Sequence, residues 1–303
     1  MSHPSAFKTP EGEAAFFAAY DAATKAWPVP YDEFEIPSRF GTTYVIASGP
    51  PNAPPLVLLH GYMATSMMWA PNVADFSRHY RVYAIDVMGQ PGRSIPGDPI
   101  GSVADYVSWL NTTLYELRLN RFSLIGMSYG GWLALNYAIA QPQRVEKLVL
   151  LSPGGLLPMV RQFSARGMLM TLFPSRITVN SFMHWLGFGE ESAAVFELMR
   201  LGLRHSRIAQ ETLRLTPTVF SHGELSTLDV PTLVLMGDEE VIYDSAKALE
   251  RVQALLPDVE GALVPGSKHD MCVTQHAYVD ARVIDFLQTR TPAARGGAGR
   301  RAA

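Results

Sequence analysis

Short apolar runs separated by helix-patterned segments restrict this sequence more than any other feature. PLVLL (55–59), RVYAID (81–86), RFSLIGM (121–127), KLVLLS (147–152), PTLVLMG (231–237) and GALVP (261–265) are rich in Val, Leu and Ile and carry few polar breaks. Runs of that kind read as strands covered on both faces, as in a parallel sheet. SVADYVSWLNTTLYEL (102–117) between them has apolar residues at helical spacing and a start signal, Ser102 with Asp105 three residues later. GGWLALNYAIAQP (130–142) and SAKALERVQALLP (245–257) are also helical, each ending near a proline. FEIPS and TTYVIAS (34–38 and 42–48) are close enough to form an antiparallel hairpin. Strands alternating with helices predict an α/β fold with a mostly parallel sheet. A chain of 303 residues that is 48% hydrophobic and 17% charged has the material for the enclosed core such a sheet needs.

The alternation stops between about 155 and 225, where Met- and aromatic-rich segments suggest several short helices laid over one face of the sheet. The expected organisation is a core over 28–154 and 226–290, a helical cap over 155–225, and a helical extension over 1–27. Phe16, Tyr20 and Trp27 of that extension fall near one helical face, a stripe expected to pack on the domain. The Gly/Ala/Arg-rich tail, 291–303, is expected to be disordered, and no internal repeat is visible.

A net charge of −3 provides no field that would gather nucleic acid or an anionic membrane surface. No apolar run reaches the roughly 18–20 residues that cross a bilayer. The single cysteine, Cys272, excludes an internal disulfide, and MSHPSAFKTPEGEAAFF lacks the basic-then-apolar layout of a signal peptide. A soluble cytoplasmic protein is the expectation.

Gly126-Met127-Ser128-Tyr129-Gly130 follows the pattern G-x-S-x-G, ending a strand-like run and opening a helix-like one. That context gives a common pentapeptide its meaning. A serine on so tight a turn has its hydroxyl lifted clear of the sheet, and side chains at 126 and 130 would collide with neighbouring backbone. The helix that follows aims N–H groups at the place where a substrate oxygen becomes negative. Ser128 is therefore the candidate nucleophile. It requires a base, and the base requires a carboxylate, in the order Ser, acid, His along the chain.

Of the eight histidines, only His269 and His276 follow the last expected strand. His269 lies in the loop GSKHD directly after it and is the candidate base; His276 begins the final helical segment. His60, in LLHGYM at a strand end, reads as a structural residue shaping a turn. That turn places the backbone N–H of Tyr62 beside the N–H of Tyr129 as candidate oxyanion donors. No His/Cys/Asp/Glu set shows ligand spacing such as H-x-x-x-H or C-x-x-C, so neither a metal nor another cofactor is expected. The acid is open among Asp238, Glu239, Glu240 and Asp244 of LMGDEEVIYD (235–244), whereas SPGGLLPMV after the KLVLLS run has no carboxylate.

With Ser128, His269, His60-Gly61 and DVMGQPGRS (86–94), the chain resembles the α/β-hydrolase superfamily over about residues 25–290. WPVPYDEFEIPSRFGTTYVIASGP (27–50), APPLVLLHG (53–61), MWAPN (68–72), SIP (94–96) and EVIYD (240–244) further resemble bacterial carboxylesterases of the carboxylesterase NP type. That resemblance implies an α/β-hydrolase fold, hydrolysis of esters such as those of arylpropionic acids, and a glutamate as the acid. The family places its acid third after the strand-ending glycine, which is Glu240; Asp238 stands in reserve, and Asp244 fits a helix N-cap. The chain departs from many relatives in having Lys268 rather than Gly before the histidine, and one residue more after Asp86.

The expected activity is serine carboxylesterase action on small-molecule esters. The same residues would also serve a carbon–carbon bond hydrolase, a lactonase or a perhydrolase, and a non-catalytic ligand-binding scaffold is the reading from another class.

Overall fold

The computed structural model describes residues 6–207 and 215–289. The expectation of a disordered tail at 291–303 lies outside them.

A nine-stranded sheet runs through the molecule in the order β1-β2-β4-β3-β6-β7-β8-β9, with β5 paired to β2 off that path. β1 (Tyr31–Ser38) and β2 (Gly41–Ser48) form the antiparallel hairpin. β2 is also antiparallel to β4 (Arg81–Ile85), and the remaining neighbours are parallel: β3 (Pro55–Leu59), β6 (Phe122–Met127), β7 (Val145–Leu151), β8 (Thr232–Gly237) and β9 (Val259–Val264). β3, β6 and β8 are almost wholly buried, which explains why their sequences are apolar throughout rather than alternating.

The structure differs from the sequence reading at the margins of the sheet. β9 is an edge strand and is half-buried along most of its length, so GALVP is not a centrally covered run. β5 (Ile95–Pro96) was hidden because two residues carry no periodicity. β7 begins at Val145, two residues before the apolar run, because Glu146 interrupts the pattern at a half-buried position.

α1 (Pro10–Thr24) begins at Thr9, whose hydroxyl accepts from the Gly12 N–H at 3.1 Å. Phe16 and Tyr20 on it are fully buried, worth roughly 2–3 kcal/mol each in apolar burial. Trp27 lies past the helix end and is fixed separately, its indole N–H donating to Ser48 Oγ at 3.0 Å. α2 (Ala70–Phe76) and α3 (Val103–Glu116) flank the sheet, and Ser102 caps α3 by accepting from the Asp105 N–H. α4 (Tyr129–Ala140) follows β6 without a connecting loop. Between β7 and β8 lie α5 (Arg161–Leu172), α6 (Arg176–Trp185) and α7 (Ala193–His205), with no named strand among the described residues of that stretch. α1 packs against α7, tying the first helix to this insertion. None of the described helices is long and apolar enough to cross a membrane.

Candidate active site

The strand order reverses between β3 and β6, and ligands of open α/β sheets bind outside the carboxyl ends of strands at such a point. Ser128 stands there, between the end of β6 and the start of α4, with φ 54° and ψ −112°. A positive φ is strained for serine, and the surroundings hold it: the Ser128 N–H donates to Leu151 and its carbonyl accepts from Trp132 and Gly154. A Cβ at Gly126 would sit 2.3 Å from the Gly130 carbonyl oxygen, and one at Gly130 would sit 2.2 Å from that of Leu59. Both positions thus let α4 press onto β3 and β6 closely enough to form the turn.

Glu240 and His269 come from the loops after β8 and β9. Glu240 Oε2 is 2.8 Å from His269 Nδ1, with side-chain exposures of 0% and 4%. The other carboxylate oxygen accepts the N–H groups of Val241 and Ile242 at 2.9 and 3.0 Å. Burial alone would push the Glu240 pKa up, but the adjacent imidazole outweighs it, with help from the Ile242 amide. The nearby Ser152 hydroxyl lowers the pKa slightly further, and the balance leaves Glu240 below the ordinary carboxyl range. A buried pair like this does more for orientation than for stability.

The other carboxylates of the loop are engaged elsewhere. Asp238 Oδ1 accepts from the Ser267 N–H at 3.3 Å, bracing the His269 loop without meeting the imidazole. Glu239 is exposed, though its N–H donates to the Ser267 carbonyl. Asp244 caps the helix Ser245–Leu255 by accepting from the Lys247 N–H at 3.1 Å, the role expected for it. His276 opens the final helix, His276–Thr289, and is not among the residues lining the cavity at Ser128.

His60 is fully buried, and burial lowers its pKa. Its Nε2 accepts from the Val87 N–H at 2.9 Å, which leaves Nδ1 to carry the proton and donate to the Gly61 carbonyl, also at 2.9 Å. The neutral imidazole therefore staples the turn after β3 to the loop after β4. Tyr62 lies in that turn and Tyr129 is the first residue of α4, where amides have no intrahelical acceptor. Both tyrosine rings meet edge to face at 5.9 Å.

Several supporting residues escaped the sequence reading. Gln90 Oε1 accepts from the N–H of Met63, which has φ 57°, fixing the turn that carries Tyr62. Asp86 accepts from Ser66 N–H and Oγ and from the Arg93 N–H, and Tyr20 of α1 hydrogen-bonds Ser66. The glutamine stands in DVMGQPGRS, so the signal was present, but its role depends on where the extra residue after Asp86 leads the chain. The insertion also reaches the site: the His269 N–H donates to the Leu186 carbonyl at 3.0 Å.

Ser128 and His269 open on one cavity of roughly 620 Å³, its mouth included. Among the described residues no hydrogen bond joins the Ser128 hydroxyl to the imidazole; such contacts are commonly longer before a substrate fills the site. Met68 and Met127 come from the core; Phe163, Met170, Phe182, Met183, Phe188 and Met199 come from the insertion. Ser192 is the polar exception on that side, with its Oγ buried and without a hydrogen-bond partner.

The model of the alpha/beta hydrolase family matches residues 56–281. The chain is 35% identical to a Bacillus subtilis protein called uncharacterized carboxylesterase nap, over 91% of this chain and 93% of that one. It is 32% identical to carboxylesterase YbfK of the same organism, over 93% of this chain and 96% of that one. The crystal structure of naproxen esterase (carboxylesterase NP) from Bacillus subtilis superposes with a TM-score of 0.86 at 34% identity, covering 92% of this chain and 99% of that one. With its sheet order, its strand–serine–helix turn and these matches over most of its length, the chain belongs to the α/β-hydrolase family.

Proposed function

We propose that the protein is a serine carboxylesterase in which Ser128, His269 and Glu240 form the catalytic triad. The observation that carries this reading is the buried 2.8 Å contact between Glu240 Oε2 and His269 Nδ1, with the imidazole facing the cavity that Ser128 enters. A carboxylate on Nδ1 fixes the tautomer that leaves Nε2 free to take a proton. Ser128 attacks the ester carbonyl as His269 accepts its proton, and the Tyr62 and Tyr129 amides receive the developing oxyanion. Collapse expels the alcohol, which takes the proton back from His269. Water then attacks the acyl-enzyme with the same imidazole as base, releasing the acid and restoring Ser128. Glu240 stays ionised throughout and stabilises the imidazolium.

Residues 155–225 act in this reading as a cap whose Met and Phe side chains surround the apolar part of the substrate. Methionine and phenylalanine provide a deformable, polarizable wall suited to a bulky aryl-bearing group. Esters of branched aryl-substituted acids are therefore the proposed substrate class, in keeping with the similarity to naproxen esterase. The lone cysteine, buried and free, suits a reducing, cytoplasmic setting.

A panel of p-nitrophenyl esters with short straight-chain and branched aryl acids tests the proposal. Turnover that favours the aryl acids and disappears in Ser128→Ala is expected. Wild-type turnover no better than that of Ser128→Ala would overturn it.

A further inference from the structure

On the side of the fold that supports the His269 loop, Asp75 of α2, whose Oδ1 accepts from Arg78 Nη1 at 2.5 Å, lies near His276 and Asp280 of the final helix. One ligand atom from each lies within 4.8 Å of the others. His276 and Asp280 are one turn apart on the same helix, so both point to one face. Their facing atoms, His276 Nδ1 and Asp280 Oδ2, are 3.9 Å apart, too far for a hydrogen bond.

Both atoms are buried, neither has a hydrogen-bond partner, and Asp280 itself is only 1% exposed. An unpartnered carboxylate oxygen beside an unpartnered ring nitrogen is costly unless something lies between them. Two ligands of a tetrahedral zinc-type ion, with bonds near 2.0–2.2 Å, stand roughly 3.4 Å apart, so a shift of about half an ångström would close this pair on a cation. The H-x-x-x-D spacing supplies what H-x-x-x-H supplies in helical metal sites, with a carboxylate replacing one imidazole.

We infer that Asp75, His276 and Asp280 form a site for a divalent zinc-type cation, away from the catalytic serine. One imidazole and two carboxylates suit zinc or cobalt(II), with water completing the coordination. The site has a structural connection to the base. Asp280 Oδ1 accepts from Asn72 Nδ2 at 2.8 Å, and the same nitrogen donates to the Cys272 carbonyl, also at 2.8 Å, three residues beyond His269. A cation held by Asp280 would stiffen the support of the segment 269–274.

Metal-depleted full-length protein titrated with ZnCl2 and with CoCl2 tests the inference by calorimetry, visible absorption and thermal unfolding. The expected result is one cation per chain, cobalt(II) ligand-field bands, and a Tm rise of roughly 5 °C at about a hundredfold excess over Kd. His276→Gln and Asp75→Asn, both at partly exposed positions, should each abolish the bands and the Tm rise. Asp280→Asn should do the same but also disturbs a buried contact, so the first two variants decide. Absence of saturable binding of either cation would overturn the inference. So would binding that survives unchanged in His276→Gln, which would place the cation on other residues.

Discussion

The backbone N–H of His269 donates to the carbonyl of Leu186 at 3.0 Å, so the loop bearing the proposed base is fastened to the insertion whose side chains line part of the cavity. The fastening continues one residue further. Gly187 has φ 106°, and a Cβ there would sit 2.3 Å from Asp270 Oδ1.

Gly187→Ala should therefore weaken catalysis without touching a catalytic residue. Strain at such a position costs about 1–3 kcal/mol, and relieving it would push the Leu186 carbonyl off His269. A fall in kcat/KM of roughly tenfold or more, with a lower Tm, is the expected outcome in steady-state kinetics and thermal unfolding. Wild-type values of both would show that the two segments are not coupled.

Glu240→Gln should reduce kcat by about four orders of magnitude, because an amide on Nδ1 no longer enforces the required tautomer. Asp238→Asn should retain most of the activity, since its contact is with the Ser267 amide. The reverse ranking would assign the acid to Asp238. Because Glu240 titrates below its ordinary value of 4.5, a single ionisation should govern the acid limb of kcat/KM above that pH. The stability this group adds is fully present above 4.5 and is lost as pH falls through its lower folded value. A two-proton acid limb between pH 5 and 7 would contradict this assignment.

His60 makes a separate prediction about stability. Burial lowers its pKa from 6.5, so the unfolded chain takes up a proton before the folded chain does. Folding stability should be unaffected by this group above pH 6.5 and should fall as pH drops from there to the folded value. The slope it contributes is up to about 1.4 kcal/mol per pH unit. Urea unfolding of His60→Asn should show lower stability at pH 8 and a flatter decline below 6.5. An unchanged decline would mean that other histidines set it.

Ser192 places an unpartnered hydroxyl against the apolar cavity. Leaving such a group buried costs about 1–3 kcal/mol. Ser192→Ala should raise or preserve Tm and lower KM for wholly apolar aryl esters, while raising KM for esters whose acid ends in an ether or hydroxyl group. Equal effects on both substrate types, measured in one kinetic series, would assign Ser192 no part in selection.

The central strands were legible because burial on both faces leaves no room for polar residues, as in PLVLL and PTLVLMG. The edge was less so: β9 carries an apolar sequence at half-buried positions, and β5 is too short to show a period. Local chemistry was also readable, as in Ser102 and Asp244, whose capping roles depend only on residues three further on. Positions that depend on long-range contact were not. Gln90 lies within DVMGQPGRS, but its bond to the Met63 amide forms only in the fold, and nothing near Leu186 announces its carbonyl's bond to His269. LMGDEEVIYD offered four carboxylates, and the choice of Glu240 came from family resemblance; the distance to His269 exists only once β8 and β9 lie side by side.

The most direct measurement of the central claim is intact-mass and peptide analysis after treatment with a fluorophosphonate ester. Ser128 should carry a single stoichiometric adduct, formed in step with loss of esterase activity. Labelling should be absent in Ser128→Ala and slowed by orders of magnitude in His269→Ala. Esterase activity that persists in Ser128→Ala, or inactivation with the adduct on another residue, would contradict the account.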